Sequence, residues 1–163
     1  MILPKQEIIK AKAVSDFISD SQFQPAGVDL TLREIYSFLS TGRIDFDNSS
    51  RQLPDYGKLE FGPGGWLHVP PGAYKIVYNE AVKIPAGCIA LAFPRSSLLR
   101  CGATVECAVW DPGYEGRSES LLIVQNPHGI SLKKNAKLVQ LVFVKMSDAA
   151  GETYEGKYHK ENL

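Results

Sequence analysis

Residues 70–93 read PPGAYKIVYNEAVKIPAGCIALAF, and this stretch decides the fold class. It holds two short runs, Tyr74-Lys75-Ile76-Val77-Tyr78 and Ile89-Ala90-Leu91-Ala92-Phe93, dominated by apolar, β-branched and aromatic residues. Each run is too short for a typical helix and is bounded by Pro or Gly, which predicts strands. Pro70-Pro71-Gly72 and Pro85-Ala86-Gly87 read as turns, the proline fixing φ and the glycine accepting a positive φ. Outward from this stretch the same texture recurs, in Val28-Asp29-Leu30-Thr31-Leu32 before it and in the turn Asp111-Pro112-Gly113 after it. Turns every ~10 to 15 residues suit an all-β sandwich or jelly roll better than alternating βαβ units.

Only residues 5 to 20 carry a helical signal, with Ile8, Ile9, Ala13, Val14, Phe17 and Ile18 at three- and four-residue intervals. Residues 41 to 65, polar and rich in Gly and Pro, read as a long loop or irregular hairpin. The apolar pattern fades after Lys145, so residues 146–163 are expected to form a flexible C-terminal tail. With 163 residues the chain is expected to be one domain, 1–163, with no internal repeat.

Hydrophobic residues make up 44% and charged residues 22%, the composition of a globular protein rather than a disordered one. Eighteen basic and eighteen acidic side chains cancel. No whole-molecule field therefore draws the protein to nucleic acid, and an anionic ligand must be held by local groups. Three cysteines without CxxC spacing indicate neither a disulfide framework nor a zinc site. Neither a signal peptide nor an apolar span of membrane length is visible, and a soluble, cytoplasmic protein is expected. Gly62-Pro63-Gly64-Gly65 is followed by Trp66 rather than Lys-Ser/Thr, so it is a turn and not a P-loop. The H-x-E and P-C-x-x-C signature of zinc deaminases is missing.

Two segments concentrate chemistry. Phe93-Pro94-Arg95-Ser96-Ser97-Leu98-Leu99-Arg100 sets two cations and two hydroxyls directly after an apolar run. Hydroxyls and backbone N–H groups at a turn or helix start suit phosphate oxygens, and Arg95 and Arg100 can add charge-assisted hydrogen bonds. A helix cap formed by Ser96 or Ser97 beside solvated arginines fits the same spacing. Val109-Trp110-Asp111-Pro112-Gly113-Tyr114-Glu115-Gly116 ends an apolar run on a carboxylate that could polarise a water, with Tyr114 offering a flat face to a sugar. An Asp before Pro-Gly is also an ordinary turn residue.

Four blocks in order resemble the motifs of the dUTP diphosphatase and dCTP deaminase superfamily, especially its archaeal-type members. They are Gln24-Pro25-Ala26-Gly27-Val28-Asp29-Leu30, Pro94-Arg95-Ser96-Ser97-Leu98, Trp110-Asp111-Pro112-Gly113-Tyr114-Glu115-Gly116 and Asn135-Ala136-Lys137-Leu138-Val139-Gln140-Leu141. Tyr154 with Gly156-Lys157-Tyr158 resembles the closing tail. The resemblance implies a β-clip, a distorted jelly roll, with a short N-terminal helix, assembled as a homotrimer with active sites between subunits. It implies that Arg95, Ser96, Ser97 and Gln140 hold phosphate oxygens. It also implies that the hairpin at Ala103, Thr104 and Val105 reads the base through backbone groups, and that Tyr114 packs under the deoxyribose. Lys157 and Tyr158 would fold over the triphosphate, and Asp29 would support the sugar side or, through water, a magnesium ion.

The superfamily's two reactions use different groups. A diphosphatase needs the third-block aspartate, here Asp111, to activate water against the α-phosphorus, with Mg2+ on the triphosphate. A deaminase needs a glutamate on the following strand. Anchoring the comparison on Asp111 puts Leu121 at the glutamate position, and anchoring on Asn126 puts Ile123 there. Glu119 lies on the same strand face as Leu121, within reach of a register slip. Hydrolysis of dUTP to dUMP and pyrophosphate is therefore expected, with dCTP deamination through Glu119 as the alternative and a non-catalytic nucleotide-binding trimer as the third. The tail ends Lys157-Tyr158-His159-Lys160-Glu161-Asn162-Leu163, without the Arg- and Gly-rich closing segment of familiar trimeric diphosphatases.

Overall fold

The computed structural model describes residues 1–148 and 150–163. The strands are β1 (Val14–Ser15), β2 (Phe23–Gln24), β3 (Gly27–Phe38), β4 (Tyr56–Lys58), β5 (Trp66–Val69), β6 (Gly72–Tyr78) and β7 (Ala81–Lys83). They continue as β8 (Cys88–Pro94), β9 (Ala103–Glu106), β10 (Glu115–Gly116), β11 (Glu119–Val124), β12 (Ile130–Lys133) and β13 (Lys137–Lys145). Two short helices, α1 (Lys5–Lys10) and α2 (Ser96–Arg100), complete the regular structure together with two 3-10 turns. The three apolar runs lie inside β3, β6 and β8, and the molecule is mostly β as the turn spacing predicts.

One antiparallel sheet dominates, in the order β8-β13-β3-β6-β11-β9. Its central strand β3 changes partners half-way. Val28 to Thr31 pair with β13, whereas Leu32 to Ser37 pair with β6, with register shifts at Lys137/Val139 and Leu32/Glu34. Every residue from Gly27 to Leu32 is buried, and only beyond that does exposure return. A strand covered on both faces must read as a nearly continuous apolar run, which is why Asp29 and Thr31 stand out there. Leu30, Leu32, Ile35, Ile76, Leu122, Leu141 and Phe143 are fully buried and tie the sheet to one core. Each contributes ~1.5–3 kcal/mol by leaving water.

The helical signal over residues 5 to 20 yields only six residues of helix. Ala13 N donates to Ile8 O at 3.2 Å and Lys12 N to Ile9 O at 3.0 Å, while Lys12 adopts φ 50°. That is a Schellman stop. Ala13 and Val14, which continue the helical spacing, are buried, and Val14 pairs with Val82 of β7 in β1. Tertiary pairing has overridden periodicity. No helix among the described residues is long and apolar enough to cross a membrane.

Candidate active site

Three neighbouring strands build the first cleft. Gln140 of β13 sits opposite Asp29 of β3 on one side and Phe93 of β8 on the other. Gly27 permits this approach, because a Cβ there would lie 2.5 Å from Leu141 O and 3.0 Å from the Gln140 side chain. A cleft of about 290 Å³ results, lined by Gln24, Asp29, Phe93, Pro94, Arg95, Ser96 and Gln140. Asp29 is 2% exposed. Its Oδ2 accepts a hydrogen bond from Gln24 Nε2 at 3.0 Å and lies 3.6 Å from Arg95 Nε and 3.5 Å from Lys137 Nζ. Two cations against one carboxylate leave the cleft with surplus positive charge, the condition for holding an anion. Lys137, from the fourth sequence block, was not singled out for this role.

Arg95 is the residue before α2, its N–H donating to Leu138 O at 2.9 Å. Ser96 and Ser97 begin the helix and are exposed, and neither caps it through its side chain. Ser96 lines the cleft; Ser97 and the exposed Arg100, in the last turn of α2, do not.

Beyond α2 the chain enters β9, the last strand of the sheet. Tyr78 N donates to Ser118 O, so even-numbered residues of β11 bond towards β6 and odd-numbered ones towards β9. Thr104 and Glu106 therefore share ladder bonds with Ile123 and Leu121, while the amides and carbonyls of Ala103 and Val105 face the open edge. Val105 buries its side chain at 3% exposure, so at this position only the backbone is available to a ligand.

A second cleft, of about 390 Å³, lies over the turn that follows. Asp111, Tyr114, Glu119, Tyr154, Tyr158 and Glu161 are among its walls. Tyr114 N donates to Asp111 O at 3.1 Å and Gly113 takes φ 82°, closing the Asp111-Pro112-Gly113 turn and leaving the Asp111 side chain exposed. Tyr114 is only 6% exposed. Its hydroxyl donates to Glu161 Oε1 at 2.7 Å, and its ring meets Tyr154 edge-on at 5.8 Å. Burial pushes the Tyr114 hydroxyl far above the usual phenol range, and burial likewise raises Glu161, the Tyr114 bond opposing it.

The chain end accounts for this burial. Tyr154 N donates to Pro112 O at 2.7 Å, Lys160 N to Glu115 O at 2.6 Å and Arg117 N to Glu161 O at 3.0 Å. Residues 154–162 thus run along β10 and over the third sequence block. Tyr158 faces the second cleft with the Arg51 guanidinium 5.8 Å from its ring centre, and Lys157 Nζ lies 5.9 Å from the same ring.

Glu119 shares the second cleft with Asp111 but is engaged. Its Oε1 accepts from Lys75 Nζ at 2.9 Å and from Asn162 Nδ2 at 3.3 Å. Lys75 in turn sits 4.1 Å over Tyr56 and 4.5 Å over Tyr36. This partly buried ion pair fixes where the carboxylate points. Leu121 and Ile123 occupy the same strand face. Trp110 bridges Ala90 of β8, five residues before Arg95, and the two clefts have no lining residue in common, so Asp111 and Arg95 lie apart within one chain. No group of three or more His, Cys, Asp or Glu able to hold a metal occurs among the described residues.

A family model described as dCTP deaminase-like matches residues 2–146. The chain belongs to the dCTP deaminase-like family. Within it, the chain is 54% identical over 144 residues to the Methanosarcina mazei protein named "Probable deoxyuridine 5'-triphosphate nucleotidohydrolase", covering 88% of this chain and 84% of that one. It is 45% identical over 157 residues to the Archaeoglobus fulgidus protein of the same name, at 96% and 92% coverage. A Methanocaldococcus jannaschii protein named "Deoxyuridine 5'-triphosphate nucleotidohydrolase" is 41% identical over 150 residues, at 91% and 94% coverage. In three dimensions the chain is similar to the 2'-deoxycytidine 5'-triphosphate deaminase from Agrobacterium tumefaciens, with a TM-score of 0.66 at 20% identity. The match covers 87% of this chain and 48% of that deaminase, so this family member spans about half its length. The likeness establishes the fold expected from the sequence blocks.

Proposed function

We propose that the protein hydrolyses dUTP to dUMP and pyrophosphate. The observation that carries this is kinship, since relatives 41–54% identical over most of the chain bear the name of that activity. The site chemistry agrees. Asp111 is an exposed carboxylate at a cleft mouth, whereas the positions a deaminase glutamate would take are Leu121 and Ile123, and the nearby Glu119 is bound to Lys75.

In this reading Arg95, with Ser96 and Gln140, binds the phosphate oxygens in the first cleft, while Ser97 and Arg100, exposed on α2 outside its lining, meet the part of the triphosphate that extends beyond it. The open edge of β9 receives the pyrimidine through the main-chain groups of Val105, next to Thr104, whose own main chain stays in the ladder with Ile123. Asp111 accepts a proton from water as that water attacks the α-phosphorus, and pyrophosphate leaves. Magnesium carried on the triphosphate supplies charge neutralisation for the leaving group; a substrate-borne ion needs few protein ligands. Asp29, whose Oδ2 is already shared by Gln24, Arg95 and Lys137, would support that ion only through water.

Because the Asp111 cleft and the phosphate cleft lie apart in one chain, the complete site requires groups from two copies. This supports a homotrimer with active sites between subunits. Tyr114 then stacks under the deoxyribose once Tyr154 and Glu161 have moved aside, and Lys157 and Tyr158 close over the triphosphate. The cytoplasm, where deoxynucleotides are made and used, is the setting that goes with this chemistry.

Asp111→Asn tests it. The amide keeps the shape but is a far poorer base, so turnover of dUTP should fall by ~10²–10⁴ while a non-hydrolysable dUTP analogue binds as before. Unaltered turnover would remove Asp111 from the mechanism.

A further inference from the structure

Glu80, between β6 and β7, is fully buried and forms no ion pair among the described residues. Its Oε1 accepts from Gln22 Nε2 at 2.7 Å and from Thr31 Oγ1 at 2.5 Å, and its Oε2 accepts from Thr31 N at 2.8 Å. Asn79 Nδ2 donates to Thr31 Oγ1 at 2.9 Å, which directs the single hydroxyl hydrogen of Thr31 towards Glu80. Asn79 N donates to Thr31 O at 3.0 Å. Asn79 and Glu80 together thus satisfy every polar group of Thr31.

Thr31 is where β3 leaves β13 for β6. At that crossover a side-chain carboxylate replaces the ladder acceptor that a neighbouring strand would supply. Gln22 extends the clamp. Its Nε2 donates to Glu80 and also to Asp29 O at 2.9 Å, while its Oε1 accepts from Ile18 N and Ser19 N. The backbone on both sides of residue 30 is therefore pinned to Glu80, and the Asp29 side chain between these anchors holds Arg95 and Lys137.

We infer that Glu80 is a positioning residue for the phosphate cleft, fixing β3 at residues 29–31 so that Asp29 presents Arg95 and Lys137 as one cationic fork. The inference rests on the phosphate role proposed for that cleft. Burying a carboxylate without a cation is costly, and burial pushes Glu80 above the ordinary glutamate range against the pull of its hydrogen bonds. A glutamine would avoid the charge but would turn an N–H2 group against donors. Only an acceptor on both oxygens satisfies all three, and a fully satisfied buried network specifies one geometry.

The test compares Glu80→Gln and Thr31→Val with the natural protein by calorimetric titration of two probes, inorganic tripolyphosphate and deoxyuridine, on samples shown to be folded by circular dichroism. Loss of a supporting shell should weaken tripolyphosphate binding about tenfold in Glu80→Gln and by a smaller factor in Thr31→Val. Deoxyuridine affinity should stay within about twofold, and with dUTP the KM should rise while kcat holds, since Asp111 is untouched. Unchanged tripolyphosphate affinity, or equal weakening of both probes, would overturn the inference by showing an idle or merely structural role. If Glu80→Gln does not fold, Thr31→Val is judged by the same criteria. Binding is read without turnover, so a protein that holds tripolyphosphate but leaves dUTP intact refutes the hydrolytic function alone. One that does not bind tripolyphosphate refutes the phosphate role of the cleft and the inference with it, whatever its turnover of dUTP.

Discussion

Asp111 and Glu119 line one cleft, yet their surroundings differ. Asp111 opens a turn and meets solvent; Glu119 is held by Lys75 and Asn162. The turn at Asp111 was legible in the sequence because Asp-Pro-Gly already sets its local geometry. Lys75 was not, because it meets Glu119 only through the β6–β11 register, where Lys75 lies opposite Leu121 and diagonal to Glu119. Glu80 carries no local signal either, because its partners Gln22 and Thr31 lie 58 and 49 residues away in the chain. Tyr114 carries its own prediction. A flat ring against C2′ excludes a 2′-hydroxyl by shape alone, and steric discrimination of this size is worth ~10–200-fold. Tyr114→Ala should therefore raise the kcat/KM for UTP relative to that for dUTP by about tenfold or more. An unchanged ratio in steady-state assays would separate Tyr114 from sugar selection.

At the scale of elements, β3 and the chain end matter most. The apolar runs that became β3, β6 and β8 were readable because burial forces a short-period pattern, whereas the helix was overcalled because Ala13 and Val14 satisfy both helical spacing and strand pairing. The docked end has no apolar periodicity to announce it; main-chain bonds to Pro112, Glu115 and Arg117 hold it. Its contact through Glu161 is pH-dependent with a definite sign. Glu161 has a pKa above its usual 4.5 when buried against Tyr114 and an ordinary one when released. Protonation thus favours the docked state, and that contribution is lost as pH rises through the raised value. Hydrogen exchange at residues 154–162 should accelerate, beyond the intrinsic base catalysis of exchange, as pH climbs through this window. Glu161→Gln should abolish the excess. Slower release at higher pH would contradict the sign.

For the whole molecule, the separation of the two clefts is the decisive property. The four ordered sequence blocks named the residues that line the two clefts, Asp29, Arg95, Ser96 and Gln140 in one and Asp111 and Tyr114 in the other, but a linear motif cannot say how its members are divided in space. A site completed between copies predicts that Asp111→Asn and Arg95→Ala, each inactive alone, complement one another. Subunits mixed equally, dissociated and reassembled should recover roughly a quarter of natural turnover, the share of sites that draw both intact groups. No recovery in a reassembled trimer confirmed by sedimentation would place both groups in the same subunit's site. The most direct measurement remains the product made. Incubated with dUTP and dCTP in separate magnesium-containing reactions and resolved by chromatography, the protein should convert dUTP to dUMP and pyrophosphate and leave dCTP unchanged. Ammonia and a uracil nucleotide from dCTP, or an untouched dUTP sample, would contradict the proposed function.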